Sequence, residues 1–171
     1  MNYRYGLKKI MLMVVLAGSA AVCAATGLVA VPGQPQAHEF SLPALDGSRH
    51  ALSDFRGDYV LVNFWAGWCS PCIRELPSMQ RTYTAMKGRN FEIIAIHVGP
   101  ETADMLALLK RFEISFPVLV DAELALSSWD VKGLPASFLL DPEGRVLYKA
   151  TGPIEWDEPA QRELLQQLLD G

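Results

Sequence analysis

The stretch that decides the fold is Tyr59-Val60-Leu61-Val62-Asn63-Phe64-Trp65-Ala66-Gly67-Trp68-Cys69-Ser70-Pro71-Cys72-Ile73-Arg74-Glu75-Leu76-Pro77. Residues 59–65 are a near-continuous apolar run broken only by Asn63, the pattern of a strand covered on both faces. Beyond Cys69 the apolar spacing changes to three and four residues, with Ile73, Leu76, Met79, Tyr83 and Met86 on one predicted helical face. Pro71 suits the first turn of that helix, Pro77 removes a backbone donor and predicts a kink near Ile73, and Gly88 ends it. The two cysteines therefore stand where a strand gives way to a helix. Unpaired amides and the positive end of the helix dipole stabilise a thiolate at Cys69. Cys72, three residues later on the same face, can close a disulfide with it. A dithiol–disulfide cycle follows, provided that the two sulfurs are accessible and converge.

The rest of the chain extends this unit. Residues 91–98 predict a second buried strand, and strand, helix and strand together imply a parallel crossover with the cysteines at the carboxyl end of its first strand. Met105, Leu108, Leu109 and Phe112 predict an amphipathic helix inserted between Pro100 and Ile114. Residues 118–120 predict a short strand and 124–129 a short helix. Residues 137–140 and 145–150, around Asp141-Pro142-Glu143-Gly144, predict a β-hairpin. Pro159 opens a last helix, with Asp157 and Glu158 at its positive end and Leu164, Leu165, Leu168 and Leu169 buried. Upstream, residues 40–52 predict a hairpin turning at Asp46-Gly47-Ser48, and Ser53 is expected to cap one helical turn before Gly57.

The first 37 residues have another composition. Arg4, Lys8 and Lys9 precede an uncharged apolar stretch from residue 10 to 31, whose 22 residues match the roughly 20 needed to cross a bilayer. A retained anchor is expected ahead of a cleaved signal with small residues at Ala20, Ala21, Ala24 and Ala25, and ahead of a lipoprotein signal at Cys23. The basic residues lie before the apolar run, so the positive-inside rule puts the remainder outside the cytoplasm, on the periplasmic side of an inner membrane. Residues 32–36 read as a spacer, giving a signal or anchor segment over 1–37 and one domain over 38–171. Of 15 Lys and Arg against 19 Asp and Glu, the leader takes three bases and no acid, leaving 12 against 19 and a formal charge of −7. Nucleic acid is excluded as a partner on that balance. With Cys23 in the leader, only Cys69 and Cys72 remain, too few for a structural disulfide framework and suited to a redox pair.

Asn63-Phe64-Trp65-Ala66 before Trp68-Cys69-Ser70-Pro71-Cys72, Arg74-Glu75-Leu76-Pro77 after it, and Gly133-Leu134-Pro135-Ala136-Ser137-Phe138 downstream resemble the thioredoxin superfamily, and within it the TlpA/ResA-like extracytoplasmic thiol-disulfide oxidoreductases. The resemblance covers roughly residues 40–169. It implies an α/β, thioredoxin-like mixed sheet flanked by helices, with an N-terminal hairpin and a central insertion. It also implies that Cys69 attacks a substrate disulfide, that Cys72 resolves the mixed disulfide, and that Glu75 serves as a catalytic acid beside them. Asn63 stands where cytosolic thioredoxins have a buried Asp; an amide cannot titrate, so the proton acceptor must be elsewhere. Pro135 resembles a cis-proline that turns the Leu134 backbone toward an extended substrate, and Trp68 is expected to shield the dithiol and offer an apolar contact. Trp65 reads as core. The implied partners are a disulfide-containing extracytoplasmic protein and a membrane thiol-disulfide electron donor. Family substrates include haem-attachment cysteines of apocytochromes c and cysteine-containing copper-centre proteins. No cofactor is expected, and the sequence leaves the oligomeric state open.

A rival from another class is a thioredoxin-fold copper-binding chaperone, with both thiolates and His97 as ligands; against it, His97 also reads as a partly exposed strand residue. His38 and His50 have no ligand spacing, and a zinc site would need a second cysteine pair. Ala66, where peroxiredoxins carry Thr three residues before the reactive cysteine, disfavours that chemistry.

Overall fold

A computed structural model of the chain describes residues 27–124 and 128–171. Its main sheet has six strands: β1 (Val29–Ala30), β4 (Tyr59–Trp65), β5 (Phe91–Val98), β6 (Val118–Asp121), β7 (Ala136–Leu140) and β8 (Val146–Thr151), in the order β1-β8-β7-β4-β5-β6. β4, β5 and β6 run parallel, whereas β7 pairs antiparallel with both β4 and β8. β2 (Ser41–Pro43) and β3 (Arg49–Ala51) form the predicted N-terminal hairpin. The helices among the described residues are α1 (Ser70–Met86), α2 (Ala103–Arg111), which is the central insertion, and α3 (Pro159–Asp170), besides one 3-10 turn at Leu52–Phe55.

Strand alternation divides the core in two. Leu61 and Trp65 of β4, with Phe91, Ile93 and Ala95 of β5, pack into one cluster with Leu76 and Met79 of α1, Met105 of α2 and Leu164 of α3. Val60, Val62 and Phe64, with Ile94 and Ile96, face the other cluster, closed by Phe40 and Leu42 of the hairpin region and by Trp129. The three helices thus share one side of the sheet, where flanking on both sides is the simpler expectation. The hairpin covers the other side in their place, and Ala44 bridges to Leu119.

Several local expectations are corrected. α1 spans Ser70–Met86 with Pro77 inside it, and its buried line is Cys72, Glu75, Leu76, Ser78, Met79, Thr82 and Met86, with the expected Ile73 and Tyr83 only half-buried. Gly88 does follow its end, at φ +82. The 3-10 turn starts from Ala51, whose N–H is held by the Asp54 carboxylate at 2.8 Å, so Ser53 is not its cap. Residues 32–36 do not hang free as a spacer: Val31 N–H donates to Leu147 O, Val146 N–H to Pro35 O and Ala37 N–H to Gly144 O. The segment continues β1 along the outer edge of β8, and Leu28 is buried. The short helix expected over 124–129 includes residues 125–127, which lie outside the described residues, as does residues 1–26 of the leader. Among the described residues no helix is long and apolar enough to cross a membrane.

Candidate dithiol site

β4 delivers the chain to Trp65, and the four residues that follow turn it into α1. Cys69 is the N-cap of α1, and its sulfur accepts the Cys72 N–H at 3.3 Å. The two cysteines are joined in a disulfide, with Cα atoms 5.3 Å apart. The convergence required by the spacing is therefore met. Accessibility is narrower than expected and rests with Cys69, which is 5% exposed against 1% for Cys72. Both cysteines pack into the helix-side cluster, and Cys69 is the more exposed residue of the two.

Glu75, one turn beyond Cys72, is buried on the sheet-facing side of α1. Its Oε1 accepts from Trp156 Nε1 at 2.7 Å and from Ile154 N at 3.2 Å, and its Oε2 from Asn63 Nδ2 at 3.3 Å. Burial raises its pKa from 4.5 to about 7, against the lowering effect of those three hydrogen bonds. Asn63 also donates to Ser137 Oγ at 3.0 Å, which ties β4 to its register partner in β7. Ser78, one turn further along α1, accepts from Trp156 N and donates to the Glu75 carbonyl. Trp156 is, with Ser78 and Ile154, a member of this network that the sequence reading missed. Its signal was only an aromatic residue shortly before the last helix.

The Leu134–Pro135 peptide is cis, as the resemblance implies, and opens directly into β7. Pro135 is buried and Leu134 half-buried. Trp68 stands 77% exposed. It forms a wall between two cavities. One, of about 320 Å³, is lined by Phe64, Trp68, Val98, Val131 and Leu134. The other, of about 360 Å³, is lined by Gly67, Trp68, His97, Gly99, Thr102 and Asp104. A further cavity of about 400 Å³, beside Tyr83, Phe116 and His50, shares no residue with either.

His97 is buried, 3% exposed, not partly exposed as a strand end suggests. Its Nε2 accepts the Gly67 N–H at 3.1 Å, which leaves Nδ1 to donate to Gly99 O at 3.1 Å. Both ring nitrogens are thus engaged. No group of three His, Cys, Asp or Glu among the described residues is arranged to hold a metal ion. The copper reading thus has two sulfurs bonded to each other and an imidazole already occupied.

Residues 33–149 match the AhpC/TSA family. The chain is 39% identical over 117 residues to the thiol-disulfide oxidoreductase ResA of Geobacillus kaustophilus, covering 68% of this chain and 67% of that protein. It is 38% identical over 117 residues to ResA of Bacillus subtilis, covering 68% and 65%. Among solved structures, a thiol:disulfide interchange protein of the thioredoxin family from Chlorobium tepidum superposes with a TM-score of 0.69 at 27% identity, over 82% of this chain and 99% of that one.

Proposed function

Since the chain belongs to the AhpC/TSA family of thioredoxin-fold proteins and is a thiol-disulfide oxidoreductase, we propose that it reduces disulfides of extracytoplasmic proteins through Cys69 and Cys72. The observation that carries the mechanism is Cys69 at the N-cap of α1, joined to Cys72 and accepting its N–H. A negative charge on Cys69 sulfur meets that N–H and the positive end of the helix. The Cys69 thiolate attacks one sulfur of a substrate disulfide, forming a mixed disulfide and expelling one substrate thiolate. Cys72 then loses its proton and attacks the Cys69 sulfur, expelling the second substrate thiolate and leaving the Cys69–Cys72 disulfide. Two electrons pass to the substrate, and a membrane dithiol donor returns them. Glu75, one turn beyond Cys72 on the buried line of α1 and with its pKa raised by burial to about 7, is the candidate acceptor for the Cys72 proton. The cis Leu134–Pro135 segment and Trp68 border the cavity that receives the substrate chain. Residues 10–27 supply the membrane attachment, with the domain on the periplasmic side. Apocytochrome c and copper-centre proteins are the substrate classes to assay.

The roles of the two sulfurs separate cleanly. Cys72→Ser should accumulate a mixed disulfide with a disulfide-bonded substrate, whereas Cys69→Ser should form none, as read by non-reducing mass analysis. The opposite pattern reverses the assignment. A reduction potential near thioredoxin's roughly −270 mV supports the reducing direction, and one near the roughly −120 mV of a strong oxidant overturns it.

A further inference from the structure

We infer that His97 is a positioning residue for the dithiol loop, holding Gly67 through an acceptor nitrogen that is lost when the ring protonates. The inference deepens the exchange chemistry proposed above and rests on it for its functional arm. Gly67 lies two residues before Cys69, in the turn between β4 and α1. Its N–H is spent on His97 Nε2, and Cys69 N–H on the carbonyl of Ala66. The tether therefore crosses from β5 to the residue that sets where Trp68 and Cys69 begin. Nε2 can accept only while it carries no proton, and Nδ1 is already committed as donor to Gly99 O. Adding a proton to Nε2 turns two donors toward each other, so the Gly67 N–H must move away.

The surroundings favour the neutral ring. β4 meets it with Trp65, edge-on at 5.1 Å between ring centroids, and β6 pairs it in register with Val120. From the α2 side, Thr102 and Asp104 line the same cavity, and Asp104 is the charged side chain among its lining residues. The titratable thiols of reduced Cys69 and Cys72 lie in the cluster beneath Trp65. Burial lowers the pKa of His97 below its ordinary value, against the raising effect of the Gly99 carbonyl. The cavity of about 360 Å³ gives a proton a route to the ring. At neutral pH the loop is held; in acid it is released, and attack by Cys69 slows beyond what its own protonation causes.

The test uses the full chain labelled with ¹⁵N. Imidazole nitrogen shifts should report the Nδ1–H tautomer, and the Gly67 and Trp68 amide signals should move between pH 8 and pH 4.5 with the midpoint of the His97 ring. In His97→Gln, whose side-chain oxygen accepts a hydrogen bond but does not titrate, that amide movement should vanish. The ratio of variant to wild-type rates for reduced Cys69 attacking dithiobis(nitrobenzoate) should then rise about two- to tenfold from pH 7.5 to pH 5, the range one hydrogen bond commands. An Nε2–H tautomer, a Gly67 midpoint unrelated to His97, or a ratio that is flat or falls overturns the inference. Should the variant not fold, the wild-type shifts decide alone. Should Cys69 attack no disulfide at any pH, the proposed function falls, while the nitrogen and amide shifts still decide the tether.

Discussion

Ionised Glu75 holds three N–H groups from two parts of the chain, Asn63 of β4 and the Ile154 amide and Trp156 ring of the segment before α3, so its charge is both buried and useful. The bond from Trp156 is the shortest of the three, and hydrogen bonds to the charged form favour it. Removing that donor in Trp156→Phe should therefore push the Glu75 pKa above its present value of about 7. The sign for stability follows from the same shift. A carboxyl whose folded pKa is raised contributes fully below the ordinary 4.5 and loses that contribution as pH climbs through about 7. Moving from 4.5 to about 7 amounts to about 3 kcal/mol. Urea unfolding of the oxidised protein should show wild type losing about that much relative to Glu75→Gln between pH 4 and pH 8; a difference independent of pH would remove Glu75 as a titrating group in this range. Glu75 was legible in part. It stands three residues after Cys72 and four before Met79, on the line that α1 buries, so its burial follows from helical spacing. His97 follows Ile93 and Ala95 on the inward face of β5, which marks it as buried by alternation. What spacing does not reveal is the partner each buried polar group finds, because Trp156 and Gly67 come from distant segments.

The hairpin of β7 and β8 shows how local chemistry fixes an element. Asp141 Oδ1 accepts from the N–H groups of Glu143 and Arg145, at 3.1 and 2.8 Å, and its Oδ2 meets Arg145 Nε at 2.6 Å. Gly144 closes the turn at φ +76, the left-handed region where a Cβ is unfavourable. A Cβ there would also run into the Arg56 guanidinium, which can swing aside because it ends a flexible side chain. The backbone thus sets the penalty. Asp141→Ala should cost about 2 kcal/mol through the lost charge-assisted bonds, and Gly144→Ala about 1 to 2 kcal/mol. The turn lies at the far end of β7 from Pro135, about 17 Å away along five residues of strand. Both variants should accordingly lower the urea midpoint yet leave the thiol-exchange rate of Cys69 unchanged; a rate falling in step with stability would mean that the two ends are coupled. This hairpin was readable from its turn residues, as were the strands over 59–65 and 91–98 from their apolar runs. The rotation of α1 was misread by one position. Ile73 and Tyr83 satisfy helical spacing equally well, and only the sheet beneath decides that Cys72, Glu75 and Thr82 face inward.

At the scale of the whole molecule, the fold begins inside the stretch that reads as leader. Composition cannot tell apolar residues destined for a bilayer from apolar residues destined for a core, and the run over 10–31 contains both kinds of demand. Leu28 is 1% exposed within the helix-side cluster, and Val29 and Ala30 pair with Lys149 and Tyr148 along the outer edge of β8. In the anchoring proposed above, residues 10–27 are what is left for the membrane, 18 in number and within the roughly 17 to 25 that a spanning helix uses. Attachment and folding therefore meet without a free spacer, which would hold a domain anchored by this segment close to the surface. Two truncations test this arrangement. A chain starting at Gly27 retains the edge pairing and the Leu28 contact, and should unfold at the urea midpoint of the full protein. One starting at His38 loses Leu28, β1 and the bonds from Val31, Pro35 and Ala37, exposing the edge of β8. Loss of the buried leucine alone predicts about 2 to 5 kcal/mol. β8 lies two strand spacings from β4, about 10 Å of sheet, so the Cys69–Cys72 equilibrium with a reference dithiol should stay the same in both chains. Equal midpoints for the two truncations would show that residues 27–37 add nothing to the fold and would restore their reading as a spacer.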